Sequence, residues 1–170
     1  STVYPKANRY LSLVKRSDDA FRELTEYFSQ VTEPTMVLNE EVCKSNIARM
    51  AAKAKAANVV FRPHFKTHQS REIGEWFRAS GVDKITVSSL NMAMKFAEWG
   101  WNDITVAFPV NCLEHEKINA LAAKIRLNLL LVHSEGARQL SECLKYPVGV
   151  YLGVDTGYHR DGVDAGNYEK

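Results

Sequence analysis

Paired cysteine is the first thing this chain lacks: Cys43, Cys112 and Cys143 are odd in number, far apart and never in Cys-x-x-Cys spacing. That excludes a disulfide framework and a cysteine zinc site, and fits a reducing cytosol. An excess of one charge is also missing, since 22 Lys and Arg face 20 Asp and Glu for a formal net charge of +2. The charges are scattered, so no basic face addresses nucleic acid or a membrane surface, and small-molecule partners are expected. Long apolar runs are absent: stretches such as Leu129 to Val132 fall far short of the roughly 20 residues that span a bilayer, and the N-terminus has no signal-peptide core. A cytoplasmic, unanchored protein is expected. No Gly-x-Gly-x-x-Gly turn follows the first strand-like run, which speaks against a doubly wound dinucleotide-binding sheet.

What is present is an ordinary globular composition, 170 residues of which 45% are hydrophobic, enough for one sizeable core. Residues 1–32 read as a polar leader in which Asp18 to Gln30 places Phe21, Leu24, Tyr27 and Phe28 at helical intervals behind a possible Ser17 cap. After Glu33-Pro34, short β-branched or aromatic runs alternate with helix-like segments. Six strands are expected: Thr35 to Asn39, Val59 to Lys66, Lys84 to Ser89, Asp103 to Val110, Arg126 to His133 and Val148 to Asp155. Runs such as Ile104 to Phe108 and Leu127 to Val132 are nearly continuous apolar sequence, as in parallel strands covered on both faces. The repeating strand-helix order of this α/β chain suits either a doubly wound sheet or a (β/α)8 TIM-type barrel, and the barrel is favoured. A complete barrel takes about 250 residues, so 33–170 is expected to be a partial barrel within a longer enzyme.

Chemistry concentrates in Phe61-Arg62-Pro63-His64-Phe65-Lys66-Thr67-His68. A lysine at the carboxyl end of a barrel strand meets the open mouth where catalytic groups gather. It attacks an aldehyde only as the neutral amine, and Arg62, His64 and His68 are candidates for the positive field that would favour that form. The ordinary alternative is a solvated lysine after a strand-ending proline. His64 and His68 lie four apart, yet Pro63 and the strand-to-loop position make a shared metal unfavourable, and cofactor-pocket or hydrogen-bonding roles are preferred. Thr67 has two readings, a cofactor contact or a cap for the following helix. Ser88 and Ser89, at another strand end, either line the pocket or satisfy backbone groups. Trp76, Trp99 and Trp101 suit helix packing better than ligand stacking.

Arg-Pro-His-x-Lys-Thr-His resembles the signature around the Schiff-base lysine of the D-threonine aldolase and D-serine dehydratase family, fold-type III pyridoxal-phosphate enzymes related to alanine racemase. Pro34 to Leu38, Val87 to Leu90 and Ala107 to Val110 resemble further segments of that family. The run Asp155-Thr156-Gly157-Tyr158-His159-Arg160-Asp161-Gly162 looks like its Asp-Thr-Gly-x-x-Arg-x-Gly motif. The resemblance implies an alanine racemase-type barrel, present here as its first five or six strand-helix units, with the remaining strands and a C-terminal β domain absent. It implies pyridoxal 5'-phosphate bound by Lys66 and Arg160, and His64, Thr67 and Ser88 are the further candidates to contact it. It also implies a divalent metal, Zn or Mn, whose ligands are not in this chain, and a homodimer for the full-length protein. The activity implied is a lyase for D-3-hydroxy amino acids, aldolase or dehydratase. The alternatives are an amino-acid racemase of the same fold and a non-catalytic pyridoxal-phosphate carrier. Asn39, Gln69 and Asn91 depart from the residues common in the family and leave the choice of substrate open.

Overall fold

The computed structural model describes residues 22, 25–26, 28–29, 31–34 and 38–166. The chain divides into two compact units, residues 1–47 and 48–170. In the first, the described positions between 22 and 29 are helical, as the leader's periodicity predicts, and Phe28 is exposed. Phe21, Leu24 and Tyr27 lie outside the described residues, as do Thr35 to Val37 of the first expected strand. The strand does not reach Asn39. That side chain accepts the Val42 N–H at 3.0 Å and so caps α1, Glu40–Ala56, which opens on two glutamates and closes on two lysines in accord with the helix dipole. The division between the units falls inside α1.

The second unit alternates strand and helix: α2 (Arg71–Ala79), β1 (Ile85–Val87), α3 (Leu90–Glu98), β2 (Asp103–Pro109), α4 (His115–Ala122), β3 (Arg126–Leu131), α5 (Ser134–Cys143) and β4 (Gly149–Leu152). All neighbouring pairs are parallel and the sheet order is β1-β2-β3-β4. A doubly wound sheet reverses its strand order at a switch point. This sheet does not reverse; each strand adds on the same side of the last, which is the winding of a barrel. On the far edge of β1 a single parallel bridge pairs His64 with Thr86, giving a fifth barrel position. The result is a partial (β/α)8 barrel.

The two faces of the sheet differ. Ile85, Ile104 and Leu127 lie in register, as do Val87, Val106 and Leu129. These pack with Leu90, Ala93 and Phe96 of α3, Ile118 and Leu121 of α4 and Leu140 of α5 into one core. Thr86, Thr105, Asn128 and Gly149 form the alternate layer, also in register, on the opposite face. Thr105 and Asn128 are buried there despite their polarity. Asn128 also explains a glycine in a strand, because a Cβ on Gly149 would collide with its Oδ1.

Two expected strands are corrected. Val59 to Lys66 is not a laddered strand: residues 59–63 belong to no regular element, and Phe65–Thr67 form a 3-10 turn. Pro63 has no N–H to give a ladder. Val148 to Asp155 is broken at Gly153 into β4 and a separate β5 (Val154–Asp155), which pairs in parallel with β6 (Val163–Asp164). His133, expected to end a strand, instead caps α5 by accepting the Gly136 N–H at its Nδ1, 2.8 Å away.

The contact between Asn128 and Gly149 yields a prediction. Gly149→Ala forces the amide out of its layer, and the full-length variant should lose about 1–3 kcal/mol in urea unfolding, the cost of overpacking a filled site.

Candidate active site

In a parallel sheet the segments that follow the strands all emerge at one end. The turn carrying Lys66, Ser88 after β1, Phe108 to Val110 at the end of β2, and the loop after β4 that carries Arg160 therefore share the carboxyl end. The topology brings Lys66, His64, Thr67, Ser88 and Arg160 to one rim.

Lys66 owes its direction to its neighbour. Phe65 is fully buried, with ring centroids 5.0 Å from Phe77 of α2, 5.0 Å from Phe96 of α3 and 5.1 Å from Trp101. Successive side chains of a 3-10 turn diverge by roughly 120°. With Phe65 locked inward, Lys66 and Thr67 face outward, and both are exposed. His64 closes the turn by accepting the Lys66 N–H at Nδ1, 3.3 Å away. Burial, and then the charge of Lys66, hold the His64 imidazole below the ordinary histidine range. His64 is thus neutral at pH 7, with Nδ1 as acceptor and the proton on Nε2.

His68 takes a different part from the one expected. It lies between Phe65, at 4.5 Å, and Phe77, stacked at 6.0 Å, and burial lowers it to about 4. Its Nδ1 accepts the Ser70 N–H at 3.0 Å, and its buried Nε2 has no hydrogen-bond partner. It contributes no positive field to Lys66. Arg62 is also directed elsewhere, with Nη1 2.7 Å from Asp103 Oδ1. Of the three groups expected to give a positive field, His68 and His64 are neutral and Arg62 is paired with Asp103; His64 is the one bonded to the Lys66 backbone.

The hydroxyls divide their roles. Ser70, not Thr67, caps α2 by accepting the Ile73 N–H at 3.3 Å, so the capping reading of Thr67 is set aside. Ser89 caps α3 by accepting the Met92 N–H at 3.2 Å. Ser88 lines a cleft of about 100 Å3 between the ends of β1 and β2, with Val106, Phe108, Pro109 and Asn111 among the other walls.

On the loop after β4, Asp155 organises the turn. Its Oδ1 accepts the N–H groups of Gly157 at 2.9 Å and His159 at 3.0 Å, and its Oδ2 lies 2.8 Å from His159 Nδ1. The His159 and Gly157 N–H groups hold this carboxyl below the usual range. Arg160 follows, exposed, with Nε 3.5 Å from Asp161 and its guanidinium 5.7 Å from the Tyr158 ring. Gly162, at φ +108°, brings the chain back so closely that a Cβ would fall 2.7 Å from the Asp155 nitrogen. Sequence reasoning passed over the Asp103 carboxylate; its only signal was an acidic residue at the start of an otherwise apolar strand.

Comparison with known proteins adds a consistent set of likenesses. The family described as alanine racemase, N-terminal domain, matches residues 38–170. The chain is 36% identical to D-threo-3-hydroxyaspartate dehydratase of Delftia sp. (strain HT23) over 138 residues, 78% of this chain and 36% of that protein. It is 30% identical to D-serine dehydratase of Dictyostelium discoideum over 149 residues, covering 80% and 38%. Among solved structures, D-threonine aldolase from Filomicrobium marinum superposes with a TM-score of 0.75 at 25% identity, covering 81% of this chain and 38% of that one. The chain spans less than two fifths of the length of these relatives.

The state of His68 gives a pH prediction. Between pH 6.5 and about 4 the unfolded chain binds a proton that the folded chain refuses, so stability falls as pH drops through that window and is fully present above it. Discounting for the partial burial of His68, the loss is about 1–2 kcal/mol. In urea unfolding of the full-length protein at pH 7.5 and 4.5, wild type should lose that much more than His68→Phe; equal losses would remove His68 as the source.

Proposed function

This chain belongs to the alanine racemase N-terminal domain family, and we propose that it supplies the lysine-bearing part of a pyridoxal-phosphate-dependent lyase for D-3-hydroxy amino acids. The observation that carries the reading is Lys66, an exposed amine at the carboxyl rim of a parallel barrel, turned outward by the burial of Phe65. The dehydratase and aldolase relatives favour a lyase over a racemase or a carrier. Residues 33–170 are assigned to the barrel part and 1–32 to a leader.

The residues present fit the ring end of the cofactor. When bound, pyridoxal phosphate supplies an electron sink for breaking a bond at the substrate α-carbon. Lys66 is the group that bonds it and, once released, an amine able to hold a proton beside the substrate. His64, neutral and with Nδ1 engaged by the Lys66 N–H, keeps Nε2–H as a donor at the rim. Arg160 offers a cation to the phenolic oxygen of the ring, steadied by Tyr158 and Asp161. Ser88 offers a hydroxyl from the cleft wall. Among the described residues no three His, Cys, Asp or Glu side chains are grouped to hold a metal, so no role is assigned to one here.

Borohydride reduction of the full-length protein after incubation with pyridoxal phosphate, followed by peptide mapping, should place the pyridoxyl label on Lys66. Lys66→Ala should carry no label and should lose at least roughly a thousandfold in turnover of D-threonine and D-serine, the scale expected when a covalent catalytic group is removed. A label on another lysine would overturn the assignment.

A further inference from the structure

We propose that Asp103 is a positioning residue for Lys66, acting through Arg62; the proposal rests on the reading of Lys66 given above. The segment that leads to Lys66 has sparse backbone pairing. Pro63 removes a ladder donor, and the backbone pairing to β1 is the one bridge at His64. That bridge includes the bond from Thr86 N–H to Pro63 O at 2.9 Å, and Thr86 supplies one further tie, its hydroxyl to Arg62 O at 3.2 Å. Beyond β1, Phe61 and Phe65 pack against Phe77 and the core, and the charged tie is the Arg62 side chain, which reaches Asp103 on β2 at 2.7 Å.

The pair is secluded, with Arg62 and Asp103 side chains 16% and 12% exposed. The contact is one of charge, since Nη1 has no aligned hydrogen-bond partner. Asn128 of β3 holds the same carboxylate, donating from Nδ2 to Oδ1 at 3.1 Å. Arg126 lies 3.9 Å from Oδ2 but is 74% exposed, so solvent screens it. Asp103 therefore joins the lysine segment to two strands that the backbone does not connect to it. Removing the carboxylate leaves a secluded guanidinium without the anion it contacts, with only the Coulombic field of Asp83 remaining, which the chain relieves by moving Arg62 outward. Because proline fixes φ at the next residue, a displacement at Arg62 passes directly into the turn that aims Lys66.

The test uses the full-length protein with Asp103→Asn and Asp103→Glu. The first readout is amide exchange at residues 64–68 against β3; the second is affinity for pyridoxal phosphate, titrated by the absorbance of the lysine-bound cofactor without any turnover. Asp103→Asn should speed exchange at 64–68 about tenfold while leaving β3 unchanged, and weaken cofactor capture about tenfold. Asp103→Glu keeps the charge but displaces it by one methylene, and should show about threefold on both readouts. If Asp103→Asn does not fold, the glutamate variant decides alone, by whether its change is confined to 64–68. Wild-type exchange in the folded variants, or acceleration of β3 in step with 64–68, overturns the proposal. If wild type captures no cofactor at Lys66, the reading of Lys66 falls, and exchange at 64–68 still reports whether Asp103 holds the segment.

Discussion

The burial of one aromatic ring sets the geometry of the rim. Phe65 is inaccessible to solvent and meets Phe77, Phe96 and Trp101 within about 5 Å, so its removal would open a cavity in the middle of the core at a cost of roughly 3–5 kcal/mol. Two of the edge-on contacts, with Phe96 and Trp101, add orientation to the burial. A ring so confined has little freedom to rotate. In a tight turn the next side chain inherits that constraint, and an otherwise flexible lysine leaves the backbone in one direction.

The sheet separates stability from chemistry. Its helix-facing layers are aliphatic and make the core, while the other face carries Thr86, Thr105 and Asn128 with Gly149 in the same row. Buried polar groups in such a row are costly unless they bond to one another. Asn128 does so, giving Nδ2 to Asp103 Oδ1 and sharing it with Ile104 O at 3.4 Å, and Gly149 makes room for it. The same polar layer that fixes the strands relative to one another also carries the counter-charge for Arg62.

The winding of the fold was legible because its signal is local. Near-continuous apolar runs separated by helix-length segments marked β2 and β3 to within two residues, and the absent glycine turn pointed toward a barrel. Tertiary features were not legible in the same way. The expected strand through Lys66 failed because apolar pattern gives no weight to a missing proline donor. Val148 to Asp155 read as one strand because nothing in its composition shows that the Gly153 N–H bonds to Leu131 O at 2.7 Å while Gly153 O receives the Val163 N–H at 2.8 Å, the point where pairing partners change. At the candidate site, motif spacing named Lys66 and Arg160 but treated Phe65 as a free position between conspicuous neighbours, although it is the residue that aims the lysine. His68 looked like a companion of Lys66 for the converse reason: adjacency in sequence conceals that its ring belongs to the aromatic core.

Lys66 and Arg160 are held by different physics. The lysine turn is anchored chiefly by the apolar packing of Phe65, with the Arg62–Asp103 ion pair beside it. The arginine loop is anchored by one carboxylate accepting two backbone N–H groups and facing an imidazole, with His159 at φ 57°, a left-handed backbone that a non-glycine residue adopts only when its surroundings hold it there. Under the proposed function Lys66, on the packed side, and Arg160, on the hydrogen-bonded side, would hold the cofactor. The same N–H donors, those of His159 and Gly157, favour the ionised Asp155 carboxylate and hold its carboxyl below the usual range.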